Sequence, residues 1–192
     1  SQTVLERRFS NMINNDIDSK VAAKMHAQKL VIYHPTSAGT GAALQLEPRV
    51  NRQEADRYNC FFLEMASQRT VAARTDGKRV PASFDWEHKL TVKLDFTDIC
   101  EIVAVLEGRV DKLGGAKSGL FHQNGNCSTV ITLQKADKGG YFVGLSKKSG
   151  DDGAVVRVNL SLSEAEAIGL RSIFQAGLFF ITFHTHIFPP AA

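Results

Sequence analysis

The chain has 192 residues, 43% of them hydrophobic and 22% charged, with a net charge of +3. That is enough apolar material for one sizeable core, so one domain is expected. Its three cysteines, Cys60, Cys100 and Cys127, are odd in number and far apart, with no CxxC pair, which reads as free thiols in a reducing compartment. With Ser1 in place of a methionine, the sequence reads as a mature or trimmed form in which any removed targeting segment is invisible, and no secretory or lipidation signal is left to read.

Residues 1–28 are polar and mixed and read as a terminal arm with a short helix around residues 4–13. Residues 29–33 (KLVIY) form a short β-rich run. Pro35, Gly39 and Gly41 then mark a turn, and residues 42–49 (AALQLEPR) return as a strand that Pro48 ends or pushes to an edge. Residues 57–65 (RYNCFFLEM) give a third strand. Residues 66–85, polar and punctuated by Gly77 and Pro81, are expected to be the longest loop. The clearest strand is 88–94 (HKLTVKL), whose strict alternation puts Lys89, Thr91 and Lys93 on one face and Leu90, Val92 and Leu94 on the other. Asp98 with Glu101 is expected to cap a helix, DICEIVAVLE, that Gly108 ends.

The second half repeats that order. Strands are expected over 112–122, 127–135 (CSTVITLQK), 141–148 (YFVGLSKK) and 154–160 (AVVRVNL), with a tight Asp137-Lys138-Gly139-Gly140 turn before the third. Two β-β-β-β-α units, an α+β antiparallel repeat, are therefore expected over 29–192, and such meanders bury one face and leave the other wet. The closing helix runs from Ser161 to Phe183, with Ser161/Glu164 and Ser163/Glu166 as two overlapping capping boxes. Its polar residues Glu164, Arg171, Gln175 and Thr182 form one thin stripe. Ile168, Ile173, Phe174, Leu178, Phe179 and Ile181 spread around the rest, so a second subunit is expected to cover part of it. Arg171 and Gln175 interrupt the run below the roughly 20 apolar residues of a membrane span.

Gly114-Gly115-Ala116-Lys117-Ser118 is not a phosphate loop, because Ala116 stands where GxxxxGK[ST] needs glycine. His184 and His186 lack a third ligand, so no metal or other cofactor is expected. No Ser, His and Asp or Cys and His arrangement is marked by local context, so an enzyme is not expected. Charge is more informative: residues 69–148 hold 13 Lys or Arg against 9 Asp or Glu, a mild anion-binding bias. Lys89, Lys93, Lys117, Lys148 and Arg157 are the candidate phosphate contacts, with Arg52, Arg74 and Arg79 as weaker additions from loops. Single-stranded nucleic acid, bound with little sequence preference, is the partner such a row fits. Aromatics on the same surfaces, such as Phe142 if it faces outward, could stack bases, but a place in the core is the favoured expectation.

At this point the sequence resembles a family. The order of four strands and a helix, twice, is similar to the Whirly fold. GAALQLEPR (41–49) looks like the second-strand signature of Whirly proteins, GGYFVGLS (139–146) like their seventh strand, and VNLSLSEAEA (158–167) like the entry to their last helix. Gly39 and Gly41 replace the lysines of the family's KGKAAL motif, so that motif's nucleic-acid role does not carry over. The whole chain is most similar to a subunit of the kinetoplastid mitochondrial guide-RNA-binding proteins. That resemblance implies a mitochondrial matrix protein forming a heterotetramer with a homologous second subunit, helices at the centre and RNA on the sheet faces. It also implies promotion of guide-RNA annealing to pre-mRNA in uridine insertion and deletion editing. A Whirly-type single-stranded DNA-binding regulator and a structural subunit whose partner supplies the RNA contacts are the alternatives.

Overall fold

The computed structural model describes residues 29–49, 60–150 and 153–183, apart from the side chains of Phe180 and Phe183. The expected arm, Arg52, Asp151, Asp152, His184 and His186 lie outside the described residues.

The strands are β1 (Leu30–His34), β2 (Ala42–Arg49), β3 (Cys60–Thr70), β4 (Ala73–Thr75), β5 (Lys78–Val80), β6 (Ser83–Phe84) and β7 (Leu90–Leu94), followed by helix α1 (Phe96–Leu106). Then come β8 (Leu120–Asn124), β9 (Cys127–Lys135), β10 (Tyr141–Ser149), β11 (Val155–Leu162) and helix α2 (Glu164–Phe183). The first sheet runs β1-β2-β3, with β7 and the short β6 both pairing β3; the second is a meander in the order β11-β10-β9-β8. All these pairings are antiparallel. The α+β plan of a sheet followed by a helix, twice, is the one expected.

Three details differ. Residues 66–85 are not one loop: β3 continues to Thr70, and β4 and β5 form a separate hairpin whose Asp76-Gly77 turn takes positive φ at both residues. Helix α1 starts earlier than expected, because Asp95 is the N-cap and Asp98 closes the capping box from the N3 position. The strand expected over 112–122 begins only at Leu120, after a 3-10 turn at Gly115–Lys117.

Period-two alternation fixes the register. Leu44, Leu46, Leu63, Met65, Val92 and Leu94 face inward from the first sheet, and Ile131, Leu133, Val143, Leu145, Val158 and Leu160 from the second. With Ile99, Ile102 and Val105 of α1 they form one buried cluster. Each such side chain stabilises by about 1.5–3 kcal/mol, so a one-residue slip in any strand would forfeit several of them together.

Helix α2 closes the core differently from expectation. Its buried side is Ala167, Leu170, Phe174 and Ile181, at helical spacing, with Leu178 packed beside them. Phe174 and Ile181 therefore cover this chain's own sheets, Phe174 meeting Phe61 edge-on, and they are not free for a second subunit. Gly177 permits that closeness, since a Cβ there would sit 2.5 Å from Phe61 Cε2. Ile168, Ile173 and Phe179 of the expected interface remain exposed.

The two halves are cross-tied at the helix starts. Ser163 and Glu166 form the capping box of α2, the second of the two candidate boxes. His34 of β1 reaches Glu166 at 2.8 Å, while His122 of β8 reaches Asp98 at 3.1 Å. A histidine from the first strand of each half thus clasps the capping carboxylate of the other half's helix. Burial pushes the Asp98 carboxyl above its ordinary value. Burial also pushes Glu166 up, but the Ser163 hydrogen bonds and His34 outweigh it and leave Glu166 below its ordinary value.

Candidate nucleic-acid interface

Each sheet has an outer face, and the two differ in charge balance. On the first sheet, Glu64 points outward from β3 yet is buried, accepting from Gln45 Nε2 and, at 3.4 Å, from Thr91 Oγ1. Lys89 Nζ lies 2.7 Å from the same carboxylate, so its charge is already matched. Glu47 likewise holds Lys29 at 2.9 Å and Arg49 at 3.0 Å, with the Arg49 guanidinium over the Phe62 ring. Lys93 stays exposed, aligned with Phe62, and has no carboxylate partner among the described residues. With Arg49 it opposes burial's upward push on the Cys60 thiol, which still ends above its ordinary value.

The outer face of the second sheet is built otherwise. Along β10, Phe142, Gly144, Ser146 and Lys148 point out while Tyr141, Val143 and Leu145 point in. Opposite them stand Gln134, Thr132 and Val130 of β9 and Ser161, Asn159 and Arg157 of β11. Phe121 of β8, aligned with Val130, is 65% exposed and Phe142 is 50% exposed, so two aromatic rings lie open to solvent. Between them Gly144 forms a floor, where a Cβ would come within 2.6 Å of both the Thr132 hydroxyl and the Asn159 side-chain oxygen. The resulting groove, about 420 Å³, is bounded by Lys112, Ser118, Phe142 and Asn159. Among the described residues of this face there is no carboxylate, and Lys148 and Arg157 have no ion-pair partner.

This arrangement offers a strand of nucleic acid three kinds of contact: cations for phosphates, amides and hydroxyls for sugar or base edges, and aromatic faces for bases. Of the sequence candidates, Lys148 and Arg157 share this face, and Lys117 sits on the exposed 3-10 turn near its β8 edge. Lys89 and Lys93 lie on the other sheet. Arg74 and Arg79 are opposite one another on the β4–β5 hairpin rather than in loops. Exposed Phe121 was missing from the candidates, and Phe142, for which a core position was the favoured reading over base stacking, faces outward. Asp85, Glu87 and His88 bring ligand atoms within 4.8 Å of one another. His88 and Arg69 already engage those carboxylates, so the cluster reads as an ion-pair network.

No protein-family model matches the chain, and no curated protein does. Solved structures do. WHY1 from Arabidopsis thaliana superposes with a TM-score of 0.65 at 21% identity, over 83% of this chain and 88% of that one. Trypanosoma brucei MRP1/MRP2 gives 0.54 at 16% identity, over 90% and 97%. A guide-RNA-binding protein complex bound to a guide RNA gives 0.54 at 17% identity, over 85% and 98%. The chain therefore has the Whirly fold, the architecture common to the plant Whirly proteins and the trypanosome guide-RNA-binding proteins.

Proposed function

We propose that this chain is a single-stranded nucleic-acid-binding protein, not an enzyme, whose substrate is RNA and whose task is to promote pairing of a guide RNA with a pre-mRNA. The observation that carries the reading is the outer face of the second sheet, where, among the described residues, no carboxylate stands and Lys148 and Arg157 have no ion-pair partner beside exposed Phe121 and Phe142. The cations would hold phosphates and reduce the repulsion that slows a second strand. The rings would hold bases apart from their neighbours with pairing edges turned to solvent. Once paired, an A-form duplex hides its base faces and fits a flat sheet poorly, so the product leaves. A homologous second subunit, assembling as a heterotetramer over the exposed apolar side of α2 at Ile168, Ile173 and Phe179, completes the proposal. The mitochondrial matrix is the compartment this reading implies.

The test is a salt titration of binding to a labelled single-stranded RNA and its DNA counterpart, with the rate of annealing to a complementary strand measured alongside. Steeply salt-dependent RNA binding with faster annealing is expected. Stronger binding to DNA would replace this reading with a single-stranded DNA-binding regulator, and a folded chain that binds neither would be a structural subunit.

A further inference from the structure

At the far end of the first sheet the chain builds a second concavity, remote from Phe121 and Phe142 in sequence and on a different sheet. It is a cleft of about 530 Å³, lined by Tyr33, Pro35, Arg79, Pro81, Phe84 and Trp86 among others. Tyr33 projects from β1 and is 55% exposed, with its ring centroid 5.3 Å from that of Phe84. Such a volume accommodates a small planar ligand. None of the lining residues carries a carboxylate.

The walls are held in place by hydrogen bonds of the β1–β2 turn and of the β3–β6 pairing. Gln68 is buried and binds the β1–β2 turn from both ends of its amide: Oε1 accepts from the Thr36 and Gly41 N–H groups at 2.8 and 3.0 Å, and Nε2 donates to the Thr36 and Thr70 carbonyls, each at 3.0 Å. Gly41 makes the approach sterically allowed, since a Cβ there would come within 2.3 Å of the His34 carbonyl. On the other side, Thr70 and Ser83 join through their hydroxyls at 2.8 Å, and the Asp85 N–H donates to the Ser67 carbonyl at 2.9 Å. Tyr33, Phe84 and Trp86 are therefore presented on fixed backbone, with little ordering left for binding to require.

Charge chooses the occupant. The hairpin beside the cleft carries Arg74, Lys78 and Arg79 within six residues, none with an ion-pair partner among the described residues. Arg79 lines both the aromatic cleft and an adjoining hollow that it shares with Arg74. By contrast Arg69, on neighbouring β3, is held by Asp85 and Glu87. Aromatic faces with guanidiniums at one rim that no described carboxylate pairs match a nucleobase attached to its phosphate. A proline-rich peptide would use the rings alone and leave two guanidiniums unmatched.

We infer that this cleft is a nucleobase pocket, in which one unstacked base lies against Tyr33, Phe84 and Trp86 while Arg79 and Arg74 take the adjoining phosphates. The inference rests on the single-strand-binding reading above and deepens it by adding an anchor for one base outside the second-sheet face.

Trp86 is the only tryptophan in the chain, so its fluorescence reports on the cleft directly. The experiment titrates the full chain with an oligoadenylate of about 12 nucleotides and with an abasic ribose-phosphate strand of equal length, following strand anisotropy and Trp86 emission together. The expected result is saturating quenching by oligoadenylate and none by the abasic strand. Tyr33→Ala should weaken oligoadenylate binding roughly ten-fold, as expected for one lost base stack, and leave abasic binding unchanged. Tyr33 is exposed, so this variant should fold, and Tyr33→Phe should bind like the parent chain. Binding of both strands without quenching would overturn the pocket and leave the second-sheet reading standing. Failure to bind either strand would overturn both. Quenching by a proline-rich peptide but not by oligoadenylate would make the cleft a protein site and overturn the inference.

Discussion

The two sheets are both antiparallel and share the same inward alternation, yet their outer faces differ in how cations are treated. On the first sheet, Glu47 and Glu64 sit among Lys29, Arg49 and Lys89 and match their charge within about an ion-pair length. On the second, Lys148 and Arg157 share a face with amides, hydroxyls and two open phenyl rings, and no described acid opposes them. A cation already held by a carboxylate has little attraction left for a phosphate. Counting basic residues on strands therefore overstates the first sheet and understates the second. Position relative to acids, more than net charge, decides where a backbone is gripped.

The difference can be broken or sharpened by substitution. The largest effect is expected from Lys148→Ala with Arg157→Ala: the salt dependence of single-strand binding should fall by about 1.4 in slope, roughly 0.7 for each lost phosphate contact. An unchanged slope would show that the second face does not hold the strand. Next comes Glu64→Gln, which keeps one acceptor oxygen, enough for Gln45, while its amide N–H2 can donate to the Thr91 hydroxyl, and releases Lys89. RNA affinity should rise and the slope should increase by up to about 0.7, making the first face resemble the second. Lys89→Ala should behave in the opposite sense, leaving the salt slope unaltered and lowering stability by about 1 kcal/mol in urea unfolding, because it strips a partner from a buried carboxylate.

The smallest effect concerns the cross-ties. Glu166, faced by Ser163 and His34, has a lowered carboxyl pKa, so its stabilising contribution is present above the ordinary carboxylate range and is lost as pH falls through the depressed value. Asp98, faced by Asp95 and His122, is raised by burial, so its contribution runs the other way and improves on acidification. Glu166→Gln should therefore flatten the acid loss of stability, and Asp98→Asn should steepen it. Urea unfolding between about pH 6 and pH 3 would read both, and a common direction for the two variants would refute the assignment.

Much of the fold was legible because strand alternation is local. Residues 42–49 and 127–135 announce their strands through side chains that must be buried together, 88–94 announces one that begins only at Leu90 after a 3-10 turn at Trp86–His88, and Ser163/Glu166 announces α2 through its capping chemistry. The β4–β5 hairpin was hidden because its residues are polar and exposed, and its identity depends on one positive-φ turn. The placement of Phe142 could have been read: in YFVGLSKK it alternates with Gly144, Ser146 and Lys148, a polar set, while Tyr141 belongs with Val143 and Leu145. Lys89's engagement with Glu64 could not, because the two are 25 positions apart and meet only through the pairing of β3 with β7. The cleft at Tyr33, Phe84 and Trp86 is hidden for the same reason, since three separate segments supply its rings.

The most direct test of the two-face account is ultraviolet cross-linking of a bound single-stranded RNA to the intact chain, followed by peptide mapping. Adducts on the peptides carrying Phe121 and Phe142 are predicted, with none on the segment from Lys89 to Lys93. RNA that remains bound but cross-links along β7 and leaves both phenylalanine peptides unmodified would contradict the account.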